Sequence, residues 1–348
     1  MAPGARLVLL GDRDQLASVE AGTVLADVVG PVLDNTAGKT TPLSGCIVPF
    51  TVNHRFQQAP TVAVIAEGLK RRGDEDLPDV LALMKGEKTA PGDPIPERVT
   101  HLGQAKDGRP DDAQLDALAA PYLEEDGFIG LLSQAIVAHG PTSIKLEDPA
   151  FHLTLLEALV RYRILAVHRR GPLGVSGLER QMVRRAKAAL TLAIQTRRTG
   201  KENKPAIIPS RHGQWLGRPV LITRNSYEVG LMNGDIGLVL PAGGRLAAVF
   251  AFKDKGVATC RSVALARLPE HTGAFAMTVH KSQGSQFSRV ALVLAGRVSP
   301  IQTRELVYTG ITRTSGRLDW LGAPQELRNA LGQRIQRASG LGDLLWGS

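Results

Sequence analysis

Short apolar runs alternate with longer amphipathic stretches along most of this chain, a pattern that predicts an α/β fold. Arg6–Leu10 reads as a short buried strand, with Gly11–Asp14 as the turn after it. Val19–Val29 has helical spacing, and Gly30–Ser44 is a loop of turn formers. Ile47–Phe56 reads as a second strand ending in Asn53-His54-Arg55-Phe56. Pro60–Arg71 is predicted helical, whereas Gly73–Pro110, rich in Pro, Gly and charge, reads as a flexible insert. Helices are expected over Ala113–Ala138 and Pro149–Tyr162, a strand over Arg163–His168 and a basic helix over Gly177–Arg197.

The texture changes after Gly213. Pro219–Thr223, Ile236–Leu240, Leu246–Phe252 and Thr259–Val263 are short strand-like runs at close spacing, with a tight turn at Asn233-Gly234-Asp235. They predict a small β-barrel or meander. From Ala274 the alternation of strands and helices resumes, with strands over Phe275–His280, Arg289–Leu294 and Leu318–Leu321. Ser299-Pro300-Ile301-Gln302 has the order of a helix start: N-cap serine, proline at N1, glutamine at N3.

Composition narrows the partners. The 348 residues are enough for two domains, and the net charge of +9 points to a polyanion, for which nucleic acid is the usual candidate. Aromatic residues make up only 4%, so contact is expected with phosphate more than with stacked bases. Part of the basic block Arg180–Lys187 is one candidate for that contact. Cys46 and Cys260 are the only cysteines and have no metal spacing, which fits a reducing cytoplasm and predicts no zinc site. No apolar run is long enough to suggest a membrane span.

Three stretches carry chemistry. Gly11-Asp12-Arg13-Asp14-Gln15 follows an apolar run, at the position where open α/β sheets bind ligands. An uncharged Gln there can touch both a phosphate and a water. Phe275 to Phe287, FAMTVHKSQGSQF, opens a strand into a loop of hydroxyls, amides and one lysine, suited to phosphate oxygens. In Thr303 to Ser315, TRELVYTGITRTS, helical spacing gathers Leu306, Val307, Gly310 and Ile311 into an apolar stripe. Arg313 stands at its end, as an arginine finger would.

Together and in this order, these stretches resemble motifs III, V and VI of superfamily 1 helicases, most closely the RecD family of bacterial exodeoxyribonuclease V α subunits. Asn53–Phe56 resembles motif IV, and Arg163–Arg180, Gly217–Val239 and Arg334–Leu345 extend the likeness over nearly the whole chain. The resemblance implies a RecA-like P-loop-NTPase-type domain (2A) with a small SH3-like all-β insertion (2B). It divides the chain into a remnant of domain 1A (1–30), a first part of 2A (31–212, insert about 73–110), 2B (213–268) and a second part of 2A (269–348). By the same resemblance Gln15, Arg55 and Arg313 act at the transferring phosphate. Asp12, Gly284 and Gln286 lie near the nucleotide, and Thr278, His280 and Lys281 near the DNA backbone. The implied activity is 5′-to-3′ translocation on single-stranded DNA driven by ATP and Mg2+, in double-strand-break repair with RecB and RecC homologues. A stand-alone RecD-like helicase and a non-catalytic DNA-binding scaffold are the other readings.

The chain departs from the family pattern in ways with physical consequences. Gly38-Lys39-Thr40 lacks the Walker A spacing, because Leu33 stands where a glycine is required. No Walker B Asp-Glu precedes Gln15. The expectation is a C-terminal fragment that misses the N-terminal RecA-like domain, binds no nucleotide tightly and hydrolyses no ATP alone. Residues up to about Gly30 should then be displaced or packed on a substitute neighbour. His54 stands in place of a motif IV tyrosine, and Gln286 in place of a glutamate that would hold a ribose hydroxyl with its charge.

Overall fold

The computed structural model describes residues 4–16, 24–30, 44–50, 56–70, 77–95, 98–197, 214–333 and 341–346. Its helices and strands, in chain order, are α1 (Val24–Val29), α2 (Pro60–Lys70), α3 (Leu77–Met84), β1 (Val99–His101), α4 (Asp112–Leu123), α5 (Phe128–His139), α6 (Pro149–Arg161), β2 (Tyr162–Ala166) and α7 (Val175–Arg197). There follow β3 (Pro219–Ile222), β4 (Ile236–Ala242), β5 (Arg245–Asp254), β6 (Val257–Ala264), β7 (His271–Gly273), β8 (Ala276–Thr278), β9 (Phe287–Val293), α8 (Arg304–Ile311), β10 (Thr314–Leu321), α9 (Pro324–Gly332) and α10 (Leu341–Trp346).

The continuous apolar runs become a five-stranded parallel sheet in the order β1-β10-β9-β2-β8. Such sheets are covered on both faces, which is why Ile164–Ala166 of β2 and Val290–Val293 of β9 are apolar at consecutive positions. Ile164 and Ala166 of β2 enter one core with Leu118 and Tyr122 of α4, Phe128 and Leu132 of α5, Leu155 and Leu159 of α6 and Leu178 of α7. Leu165 enters the opposite core with Ile65 of α2, Val80 of α3, Leu306 and Ile311 of α8 and Leu327 of α9. The period-two alternation of the strand thus builds both layers.

The second sheet is antiparallel, in the order β6-β5-β4-β3-β7. Val220, Ile222, Val239, Ala248 and Phe250 form its own small core, while Leu238, Leu240 and Val249 join the helical layer, where α6 packs on β4, β5 and β6. The strand-rich block read from the sequence is therefore a meander, but it reaches Gly273 through β7, beyond the expected limit at 268.

Five expectations need correction. Arg6–Leu10 forms no strand, and Leu7, Val8, Leu9 and Leu10 are 54–77% exposed; the residues expected to line a sheet have no sheet beside them. Ile47–Phe50 is likewise irregular, with Val48 and Phe50 exposed, so the strand predicted over Ile47–Phe56 is absent from its described part. Gly73–Pro110 is no mere excursion. It supplies α3 and β1, the edge strand of the parallel sheet, and buries Val80, Leu81, Leu83, Met84 and the ion pair of Arg98 with Asp93 at 2.8 Å. Ala113–Ala138 splits into α4 and α5 around Glu124–Gly127. Finally, α8 starts at Arg304 with Thr303 as its cap, while the Gln302 side chain accepts from the Ala295 backbone at 2.7 Å. Asn53-His54-Arg55, Gly38-Lys39-Thr40 and Arg334–Gly340 lie outside the described residues.

Candidate functional site

Segments almost 300 residues apart meet at α8. The Arg313 guanidinium follows the C-terminus of that helix and is 3% exposed. Its Nη2 donates to Gln15 Oε1 at 2.8 Å, its Nε to the Thr309 carbonyl at 3.2 Å and its Nη1 to the Ser285 carbonyl at 3.3 Å. Gln15 Nε2 in turn donates to Asp12 Oδ2 at 3.0 Å, and the same oxygen accepts from the Tyr308 hydroxyl at 2.9 Å. The carboxamide therefore bridges a carboxylate and a guanidinium, with its dipole aligned to both. That fixes which end of Gln15 faces which partner. The oxygens named here around Arg313 are one amide and two backbone carbonyls, which hold the guanidinium in one orientation.

The backbone locks the same junction. Leu16, 6% exposed, donates its N–H to Thr309 Oγ1 at 2.8 Å and accepts from Gln283 Nε2 at 2.6 Å. Asp12–Leu16 is thus held by its polar turn, although the apolar run before it is exposed. Sequence reasoning missed Tyr308, Thr309, Ser285 and Gln283 as members of this site. For Thr309 the signal was available: it lies four residues before Arg313, one helical turn away.

The remaining predicted residues lie on the strand and loop leading into the junction. Thr278 ends β8, and its Oγ1 accepts from the Lys281 N–H at 3.2 Å in the short turn His280–Ser282. Partial burial, and then the adjacent Arg169 cation, lower the Lys281 pKa. Two neighbouring cations at a sheet terminus favour an anion between them. Gly284 has φ +81°, the left-handed region that favours glycine, and lets the loop turn toward the exposed Gln286. Arg55 lies outside the described residues. The structure thus brings Asp12, Gln15 and Arg313 together, with the Ser282–Phe287 loop against them.

Two other features carry less than the sequence suggested. In the basic block on α7, Arg185 pairs with Asp116 at 2.7 Å and Asp112 at 2.8 Å, Arg184 with Asp112 at 3.3 Å, and the Lys187 ammonium lies 5.5 Å from the Trp215 ring centre. These cations are engaged within the fold. A cleft of about 710 Å3 opens by the starts of β9 and β10, lined in part by Arg98, Arg289, Ser315 and Arg317. None of the predicted site residues lines it. Arg289 is matched there by Asp319 at 2.7 Å and Arg98 by Asp93, so the cleft is no concentrated cationic site. Among the described residues no cluster of three His, Cys, Asp or Glu could hold a metal ion, and no helix is long and apolar enough to cross a membrane.

The covered parallel sheet thus carries an arginine just past the end of one buried helix, with the Ser282–Phe287 loop against it. Residues 273–318, which hold β8, β9 and α8, match the model of the UvrD-like helicase C-terminal domain. More particularly, the chain is RecD-like. It is 32% identical over 339 residues to the RecBCD enzyme subunit RecD of Mycobacterium tuberculosis, covering 97% of this chain and 48% of that protein. The corresponding subunit of Haemophilus influenzae is 29% identical, covering 99% of this chain and 51% of that protein. An ATP-dependent RecD2 DNA helicase of Deinococcus radiodurans is 37% identical, but over only 29% of this chain and 13% of that protein. The chain spans about half the length of the RecD subunits it matches, and corresponds to their C-terminal half. A solved structure of Bacteroides Pif1 bound to single-stranded DNA covers 91% of this chain and 82% of that one at 14% identity and TM-score 0.26, too low to bear on the fold.

Proposed function

We propose that this chain is the C-terminal motor portion of an ATP-dependent 5′-to-3′ DNA helicase subunit that processes double-strand breaks with RecB and RecC homologues. The observation that carries the reading is the hydrogen bond of Arg313 with Gln15, made by residues 298 positions apart. In this reading Gln15 senses the terminal phosphate, and Arg313 and Arg55 stabilise charge on it. Asp12 orients Gln15, and Gly284 and Gln286 flank the nucleotide. Thr278, His280 and Lys281 meet the DNA backbone. Residues 1–30 belong with a RecA-like domain 1A, 31–212 and 269–348 form 2A, and the antiparallel meander is the SH3-like 2B.

An amide and a guanidinium fit one edge of a triphosphate. In this reading the phosphate cradle and the Mg2+ site belong to a separate RecA-like domain, and no hydrolytic step is routed through this chain alone. Likeness along 97% of the chain favours a RecBCD-type subunit over a stand-alone helicase of the RecD2 type, whose likeness spans 29%.

The test is reconstitution. The chain combined with a RecD N-terminal half carrying Walker A and B should hydrolyse ATP when single-stranded DNA is added, and Arg313→Ala should lower kcat by about 10³-fold or more. The chain alone should be inert. Unimpaired turnover by the reconstituted Arg313→Ala protein would refute the role of Arg313. Robust turnover by the isolated chain, abolished by that substitution, would refute the assignment of the cradle elsewhere.

A further inference from the structure

Among the described residues the parallel sheet ends at β8, the strand that carries Thr278 toward His280 and Lys281. An open edge leaves backbone donors without a neighbouring strand, and something must meet them. Here a side chain does so. Glu179 of α7 accepts at Oε2 from the N–H of Phe275 at 3.0 Å and of Ala276 at 3.2 Å.

The same carboxylate sits against β7, the last strand of the antiparallel sheet. A Cβ on Gly273 would lie 1.8 Å from Glu179 Oε1, so glycine at that position is what admits the carboxylate. Only Ala274 and Phe275 separate β7 from β8. Glu179 thus grips the point where the chain leaves one sheet and enters the other. Its charge is offset in part from two sides, by Arg163 of β2 and by Arg218 just before β3. Arg163 is fully buried, with its three guanidinium nitrogens unbonded among the described residues, and Glu179 contributes to its electrostatic support.

We propose that Glu179 is a positioning residue for the DNA-facing turn: its carboxylate replaces the missing edge strand and fixes β8 relative to the antiparallel sheet. The latch stands on geometry alone, whereas its effect on DNA rests on the function proposed above.

Hydrogen exchange and single-stranded DNA affinity of the full chain test it. In Glu179→Ala the amides of Phe275–Ser282 should exchange at least tenfold faster, while those of β4 and β5 change little. DNA affinity should fall about fivefold. Glu179→Gln, which keeps an acceptor oxygen, should restore both. Gly273→Ala, which drives the carboxylate away, should give the same local rise in exchange and the same loss of affinity, whether or not Glu179→Ala folds. Unchanged exchange at Phe275–Ser282, or an equal rise across both sheets, overturns the latch. Local exchange that responds as expected in a chain that binds no DNA supports the latch and overturns its link to DNA.

Discussion

Removal of the Asp93 carboxylate tests how the edge of the parallel sheet is held. The Asp93 side chain is completely buried and that of Arg98 is 3% exposed. Arg98 Nε lies 2.9 and 3.0 Å from the two carboxylate oxygens, and its Nη1 donates to the Gly316 carbonyl at 3.3 Å. The carboxylate also accepts from the N–H groups of Thr61 at 3.0 Å and Ile95 at 3.0 Å. One side chain thus ties the first turn of α2, the segment before β1, and β10. Burial works against the charge, but Arg98, the Thr61 and Ile95 N–H groups and the Thr61 hydroxyl override it and lower the Asp93 pKa from 3.8 to about 2. At about 1.4 kcal/mol per tenfold change in proton affinity, the shift stabilises the fold by about 2.5 kcal/mol. Because the folded-state value is the lower one, that contribution is present above pH 3.8 and is lost as pH falls toward 2.

Asp93→Ala costs more, because Arg98 keeps its charge and remains buried. Loss of one partner of a buried pair costs about 3–5 kcal/mol. Urea unfolding followed by circular dichroism should report a loss of that size, and Asp93→Ala with Arg98→Met should recover most of it. A loss below about 1 kcal/mol, or no recovery in the double variant, would refute the reasoning.

Glu179 should impose the opposite pH dependence. Burial raises its pKa to about 7 despite the Ala276 and Phe275 N–H groups and the Arg163 and Arg218 charges. Its contribution is complete below pH 4.5 and lost as pH rises through 7, so Tm should decline between about pH 4.5 and 7 and level off above, and Glu179→Gln should flatten that decline. Lys281→Ala should lower single-stranded DNA affinity and reduce the slope of log K against log salt by about 1, as loss of one phosphate contact does. Arg185→Ala should leave that slope unchanged, because its charge is already matched by Asp112 and Asp116; an equal reduction in both variants would place DNA on α7.

The parallel sheet was legible where burial on both faces writes a continuous apolar run, as in β2 and β9. The meander was legible from closely spaced short strands and the Asn233-Gly234 turn. Helix α3 and strand β1 were hidden because three residues are too few for any period to register in β1, and the flanking glycines and prolines read as loop. Arg6–Leu10 misled in the other direction. Its apolar run satisfies every local requirement of a buried strand, but a strand also needs a neighbour, and local sequence does not encode one. At the site, Gln15 and Arg313 were legible through their motifs. The bond between them was not, since a contact across 298 positions leaves no periodic trace. Glu179 escaped notice for a similar reason: it sits in a basic helix, and its role depends on an edge strand almost 100 residues later.

The segments around Gln15, Ser285 and Arg313 assemble into one site. A double-mutant cycle between Gln15→Ala and Arg313→Ala, read as unfolding free energy of this chain, tests it most directly. Partners in a buried hydrogen-bonded network should show a coupling energy of about 1–2 kcal/mol. Additivity within about 0.3 kcal/mol would mean that the two side chains do not meet in solution, and would contradict the account.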